Sequence, residues 1–488
     1  MMKVKNDTRL AECDEIVEAK QTVITKLAEF TCETRFEDLP PAVMEESKRI
    51  ILDSIGCALA AATSDKGRGG LAFSRQFGGC PEATVIGFGD KVSAIGATFA
   101  NAELINALDY DAILPPGHLT PYMLPAYLAV AETTQSSGKR LLLANAIAHE
   151  MSHRIGRAMV NQRDIRNGKV VMPAVMGYSC SIFGGTAGVG KIKGFDRNFL
   201  ANALGLAGQI APGQSMTAFS KHTPTSTAKY LLAGWTAQGC ITAAFLAELG
   251  YRGDIQIMND EFGFWRFMAS SKWEPQYITD GLGKEWRFPP LQLYKPYPHC
   301  RILHGSIDCL THIVQSNDIE VEEIESIKAW VEAFCMEPIW ANRKIESPLD
   351  AQFSVAHALS LVAHRIDPGP EWQDYETIKH PSILALMDKV TYEVHPGYIK
   401  ALEEDPRSRL SKVEVRARGE TFGEERRYPK GTPSPNPETF MTNDELIAKF
   451  KHNAQRILPS HKIDTAVEAI MQIEDMQDVS ELMKLVTI

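Results

Sequence analysis

The chain has 488 residues, 44% hydrophobic and 23% charged, with 51 basic against 61 acidic residues and a formal net charge of −10. That length exceeds one compact core, so more than one folded unit is expected. The acidic balance without a basic run argues against nucleic acid as the main partner, and no run of ~18 apolar residues offers a membrane span.

Residues 1–23 alternate charged and polar groups and are expected to form a flexible N-terminal extension, with no secretory apolar core. Asp38-Leu39-Pro40-Pro41 opens a helix whose apolar face is Val43, Ile50, Ile51, Ile55 and Leu59. Ala83 to Gly87 reads as a short extended piece. Ser93 caps a helix running to about Leu108. Further helices are predicted from Thr120 to Glu132, Leu141 to Val160, Pro173 to Phe183, Phe199 to Ile210 and Thr227 to Leu249. Near residue 285 the pattern changes. Leu291 to Tyr294 reads as a strand, Leu303 to Ser316 as a helix, and Ile324 to Phe334 alternates as a half-buried strand does. Phe353 to Val362 is helical, and Val390 to Val394 and Val413 to Ala417 are strand candidates. Residues 429–437 have linker composition. Thr442 with Glu445 forms a capping box for a last helical segment. The expected fold is mainly α: a large all-helical domain made by both chain ends (24–285 and 431–488) carrying an inserted α+β lid (286–430). The nine cysteines are scattered, odd in number and without a Cys-x-x-Cys pair, which suits reduced thiols in a cytoplasmic protein.

Three stretches could carry chemistry. Asp109-Tyr110-Asp111 precedes Gly117-His118-Leu119-Thr120-Pro121, which places His118 just before a predicted helix start, where an anion is favoured. An imidazole there can move a proton, and a neighbouring aspartate can orient it; a loop-capping histidine gives the same spacing. Lys295-Pro296-Tyr297-Pro298-His299-Cys300-Arg301-Ile302-Leu303-His304 packs cations into a proline-stiffened loop suited to carboxylates. Lys221, His222 and Lys229 flank Thr225 to Thr227, with Lys229 expected in the first turn of a helix, where a cation needs a reason. Glu150, His153 and Arg157 share a helix face and suit an intrahelical ion pair better than a metal site. Gly184 to Lys191 is glycine-rich but lacks the phosphate-loop ending, and Gly-x-Ser-x-Gly is absent.

Taken in order, several segments resemble the MmgE/PrpD family: Ile51 to Cys57, Asn106 to Asp111, the His118 segment before Leu124-Pro125-Ala126, Ala228-Lys229 through Gly239, Lys295 to Pro298 with Cys300, Arg301 and His304, and Ala351 to Ala356. The resemblance spans about residues 24 to 475. It implies a homodimer, a cleft between a helical domain and a lid, and neither a metal nor an organic cofactor. It implies a lyase or isomerase acting beside a carboxylate of a small acid, with dehydration the first expectation and decarboxylation, epimerisation or a non-catalytic binder the alternatives. Carried over by position, Asp109, His118, Lys229 and Lys295 match family active-site residues. Tyr297, Arg301, His304 and Ser354 are expected near substrate, with Arg157, Lys221 and His222 as further binding candidates. On this reading the lysines and Arg301 bind carboxylate and Asp109 orients His118. The sequence departs from the family pattern at Val170-Val171-Met172-Pro173, at Leu232 and at Ala112-Ile113-Leu114, where polar positions are apolar. An apolar wall disfavours an extra carboxylate, so a substrate with fewer carboxylates than methylcitrate, or a bulkier apolar part, is expected.

Overall fold

The computed structural model describes residues 21–175, 177–259, 261 and 263–488. The expected N-terminal extension lies, up to residue 20, outside the described residues. The fold is mainly α, with one sheet of more than two strands among the described residues.

Among the described residues, nine helices of ten residues or more build the first part: α1 Val23–Glu33, α2 Pro41–Ala61, α3 Asp65–Ser74, α4 Ala94–Asn106, α5 Leu124–Thr133, α6 Gly138–Arg157, α7 Ser181–Lys193, α8 Arg197–Ile210 and α9 Ala233–Glu248. Their boundaries follow local chemistry. Pro41 starts α2, and the Ser93 hydroxyl accepts from the Gly96 N–H to cap α4. The glycine-rich run Gly184 to Lys191 lies inside α7. It lets α7 press on α6: a Cβ on Gly184 would fall 2.3 Å from the Ala148 carbonyl oxygen.

Past residue 300 come α10 His304–Ser316, β1 Ile324–Val331, α11 Val355–Ala363, β2 Val390–Val394, β3 Ser411–Ala417 and β4 Glu420–Arg426. The strand order is β2-β1-β3-β4. β2 runs parallel to β1 (Ile327 opposite Val390), and β3 runs antiparallel to it (Ala329 opposite Val413). Val413, Val415 and Ala417 of β3 point inward, and α10 covers that face. No strand forms at Leu291 to Tyr294. Pro289 and Pro290 set a 3-10 turn there, and a single bridge links Leu293 to Ile113.

The chain then returns. α12 Asn443–Ala454, capped by Thr442 and Glu445, packs on α2, and α13 Ser460–Met471 follows. Lys449 of α12 gives its ammonium to Asp53 Oδ1 at 2.7 Å and to the Tyr110 carbonyl at 2.8 Å. One apolar core holds side chains from residues 23 to 294 and again from 441 to 486; a second is centred on residues 302 to 417. Residues 429–434 are no free linker, because most of them are buried between these cores.

Burial leaves several histidines neutral. It pushes His149 and His357 down to about 4 and His153 and His299 down to about 3, from an ordinary value near 6.5. In the unfolded chain they take protons below about pH 6.5. Their contribution to stability is therefore whole above that pH and lost as pH falls toward 3 to 4. The buried carboxyls of Asp53 and Asp308, raised by burial, take protons more readily in the fold and oppose this. The urea midpoint is expected to drop steadily between about pH 6.5 and 5; a flat profile would contradict it.

Candidate active site

The site grows from the loop that follows α4. Asp109 stands there on left-handed backbone (φ 53°), and its carboxylate is fully enclosed. Lys295 reaches it from the proline-braced loop, with Nζ 2.6 Å from Asp109 Oδ2 and 2.5 Å from the Asp109 carbonyl oxygen. Lys229 approaches from the turn before α9, with Nζ 3.3 Å from Asp109 Oδ1 and 2.7 Å from the Asn106 carbonyl. Burial alone would raise the Asp109 carboxyl, but Lys295, Lys229 and His118 hold it well below the usual carboxylate range. Burial pushes the Lys229 ammonium down to about 8 against the pull of Asp109, which it shares with the closer Lys295.

His118 sits above this hub. Its Nδ1 lies 2.7 Å from Asp111 Oδ2 and its Nε2 lies 2.7 Å from the Tyr230 hydroxyl. That hydroxyl donates to Asp109 Oδ1 at 2.5 Å. The Tyr230 ring stacks on the imidazole with centroids 5.1 Å apart, and Tyr178 closes the edge. Gly117 permits this packing, since a Cβ there would fall 2.0 Å from the Tyr178 ring. Burial and Asp109 push the Tyr230 phenol well above its ordinary value, so it keeps its proton.

Asp109, His118 and Tyr230 line a cavity of about 290 Å³ between the two cores. Ile113, Trp340 and Phe353 give it apolar surface, and Arg157, Arg163, Arg301 and Arg409 give it charge. Arg301 is buried and pairs with no carboxylate among the described residues. It donates to the Lys430 carbonyl at 2.8 Å and to the Thr432 hydroxyl, and its Nε has no partner among the described residues. Burial lowers it to about 9, which leaves it cationic at neutral pH. Arg163 and Arg409 share one carboxylate, Glu332, at 3.3 and 2.7 Å. Arg157, at the end of α6, has no hydrogen-bond partner among the described residues, because Glu150 pairs with Arg154 instead at 2.5 Å. Asp164 is the one unpaired carboxylate among the described residues of the wall, so positive charge prevails.

A model of the MmgE/PrpD N-terminal domain matches residues 25–276, and one of the MmgE/PrpD C-terminal domain matches residues 297–474. The chain belongs to the MmgE/PrpD family. It is 23% identical to the cis-aconitate decarboxylase of Aspergillus terreus over 497 residues, which covers 96% of each chain. It is 24% identical to a cis-aconitate decarboxylase-like protein of Aspergillus oryzae over 498 residues, covering 95% of this chain and 97% of that one. The human cis-aconitate decarboxylase is 24% identical over 465 residues, covering 91% and 90%. This supports an enzyme of the lyase class.

Asp109, His118, Lys229 and Lys295 come together, but the geometry changes their parts. Both lysines are buried behind Asp109, each with two hydrogen bonds to the end of α4 or the loop after it, and neither lines the cavity. Asp111, not Asp109, is the carboxylate on His118 Nδ1; Asp109 meets the other edge of the ring, 3.6 Å from Nε2. Lys229 is not in a helix: it has φ 51°, and α9 starts only at Ala233. Arg301 and Arg157 line the cavity. Tyr297, His304 and Ser354 do not: Tyr297 donates to Asp308, His304 Nδ1 accepts from Arg301, and Ser354 caps α11. Lys221 and His222 are exposed and lie off the cavity wall, since their segment turns outward before Thr225. Of the departures from the family pattern, only Ile113 lines this cavity. Leu232 lines a separate cleft of about 490 Å³, and Val171 to Pro173 line another. The ground for expecting fewer carboxylates therefore falls away.

Tyr230, Arg163 and Arg409 went unseen in the sequence. Tyr230 follows Lys229 directly, and only the left-handed turn there brings both to Asp109. Arg163 and Arg409 are 246 positions apart and meet solely through Glu332.

Proposed function

We propose that this chain is a carboxy-lyase that releases carbon dioxide from a small unsaturated acid bearing two or more carboxylates, of the cis-aconitate class. The observation that carries this reading is the arginine-walled cavity opening directly onto the Asp109–His118–Tyr230 cluster. Arg157 has its guanidinium donors to spare for a carboxylate, two parallel N–H groups among them, and Arg301 keeps its Nε–H. Loss of carbon dioxide leaves an electron pair conjugated to a remaining carboxylate. Cations fixed around a cavity stabilise that charge more strongly than water does. A proton must then reach the carbon, and His118 and Tyr230, with the Tyr178 phenol beside them, are proton-bearing groups on the cavity wall. The whole-length likeness to proteins named cis-aconitate decarboxylases supports decarboxylation over the dehydration expected first.

The test is direct. Purified protein given cis-aconitate should release carbon dioxide and one new unsaturated acid. Loss of water from methylcitrate without carbon dioxide would make it a dehydratase instead. A melting point raised by these acids with no turnover of any would make it a binder. Within this reading Arg157→Met is expected to raise KM about tenfold or more while kcat changes little, as loss of one charge-assisted contact to bound acid requires. Steady-state kinetics on the variant check it; an unchanged KM would remove Arg157 from the binding site.

A further inference from the structure

Counting protons in the buried cluster limits what each group can do. Asp111 Oδ2 meets His118 Nδ1 at 2.7 Å, His118 Nε2 meets the Tyr230 oxygen at 2.7 Å, and that oxygen meets Asp109 Oδ1 at 2.5 Å. Each contact this short needs a hydrogen between its two heavy atoms. The end groups are carboxylates, which only accept. Asp109 is ionised by two ammoniums, and Asp111 Oδ1 accepts from the Asn106 amide at 3.3 Å, which favours the anion there too. The three hydrogens must then be Nδ1–H, Nε2–H and the phenol O–H. A bare Nε2 would claim the phenol hydrogen and leave two oxygens 2.5 Å apart with nothing between them. A bare Nδ1 would face the Asp111 carboxylate lone pair to lone pair. His118 therefore rests as the imidazolium.

Both ring nitrogens are thereby occupied, and neither is free to meet substrate. The Tyr230 oxygen is the next atom along the chain of hydrogen bonds, and Tyr230 lines the same cavity. Resting on the carboxy-lyase reading above, we infer that the Tyr230 hydroxyl hands the proton to the substrate carbon and that His118 recharges it. When carbon dioxide leaves, its bonding electron pair stays on the carbon. That pair takes the phenol hydrogen: the C–H bond forms and the O–H bond breaks. The Nε2 hydrogen passes to the phenol oxygen, and the imidazolium becomes neutral imidazole with Nδ1–H still on Asp111. One proton from solvent restores the start. The groups facing the pair are Asp109 and Asp111 from the loop after α4, Lys229 from the turn before α9, Lys295 from the proline-braced loop, and the phenols Tyr122 and Tyr178. The two lysines serve the relay by holding Asp109 as the anion to which the phenol points at rest.

The test uses the full chain, with Tyr230→Phe and His118→Gln, on two readouts. In steady state on cis-aconitate, Tyr230→Phe should lower kcat ~100-fold or more and leave KM within about threefold. In the nitrogen-15 spectrum of histidine-labelled wild type at neutral pH, with His118 assigned by its loss in His118→Gln, both nitrogens should sit at imidazolium positions. An active wild type with an unimpaired Tyr230→Phe would overturn the relay, as would a neutral His118. The spectrum decides the proton count even if Tyr230→Phe does not fold. A wild type inactive on cis-aconitate but carrying a doubly protonated His118 would sink the decarboxylase reading and uphold the count.

Discussion

Asp109→Asn is expected to cost both activity and stability. One carboxylate takes Lys295 at 2.6 Å, Lys229 at 3.3 Å and the Tyr230 hydroxyl at 2.5 Å, all in the interior. An amide keeps the shape and removes the charge, leaving two ammoniums facing a neutral group. Removing one partner from a buried ion pair costs about 3–5 kcal/mol, because the charge left behind is uncompensated. The phenol also loses its anionic acceptor, so its hydrogen turns away from the position the proton count gives it. The expected result is a kcat lower by ~1,000-fold with a clear drop in urea midpoint. The double variant Asp109→Asn with Lys295→Met should recover part of the midpoint and none of the activity, since it removes one stranded charge. An Asp109→Asn protein as stable as the parent would show that Asp109 is not the counter-charge for the two lysines.

His118→Gln should cut the rate and also lower the urea midpoint, because it leaves the buried Asp111 carboxylate without its partner. Glutamine can keep one contact toward Asp111 or Tyr230 but cannot carry a proton between them. General acid–base groups are worth 10²–10⁴-fold in rate, so kcat should fall by about that factor. The cavity cations are untouched, so KM should stay within a few-fold and circular dichroism should be unchanged. Retention of wild-type kcat would place the proton-moving group elsewhere on the cavity wall.

These two variants also mark how far local sequence reasoning reaches. The Asp109–Asp111 and His118 segment, Lys229 and the proline-braced cations were all identifiable as chemistry-bearing. Their connections were not. A choice between Asp109 and Asp111 as the partner of His118 depends on a left-handed residue at 109, which no spacing rule reports. The family resemblance alone places Leu232 at the site. It lines another cleft, because the helical register assumed for that stretch begins only at Ala233.

What the sequence determined by itself is what short-range physics decides. Ser93 and the Thr442–Glu445 box set helix starts, small residues let α6 and α7 touch, and alternation fixed β1 and β3 of the sheet. Each depends on residues within a turn or two of one another. Tertiary structure alone decided the site: that two lysines 66 positions apart share one aspartate, that Tyr230 bridges it to His118, and that arginines from both cores face one cavity. Such meetings are set by how whole elements pack, and a buried charge gains its partner only once that packing exists.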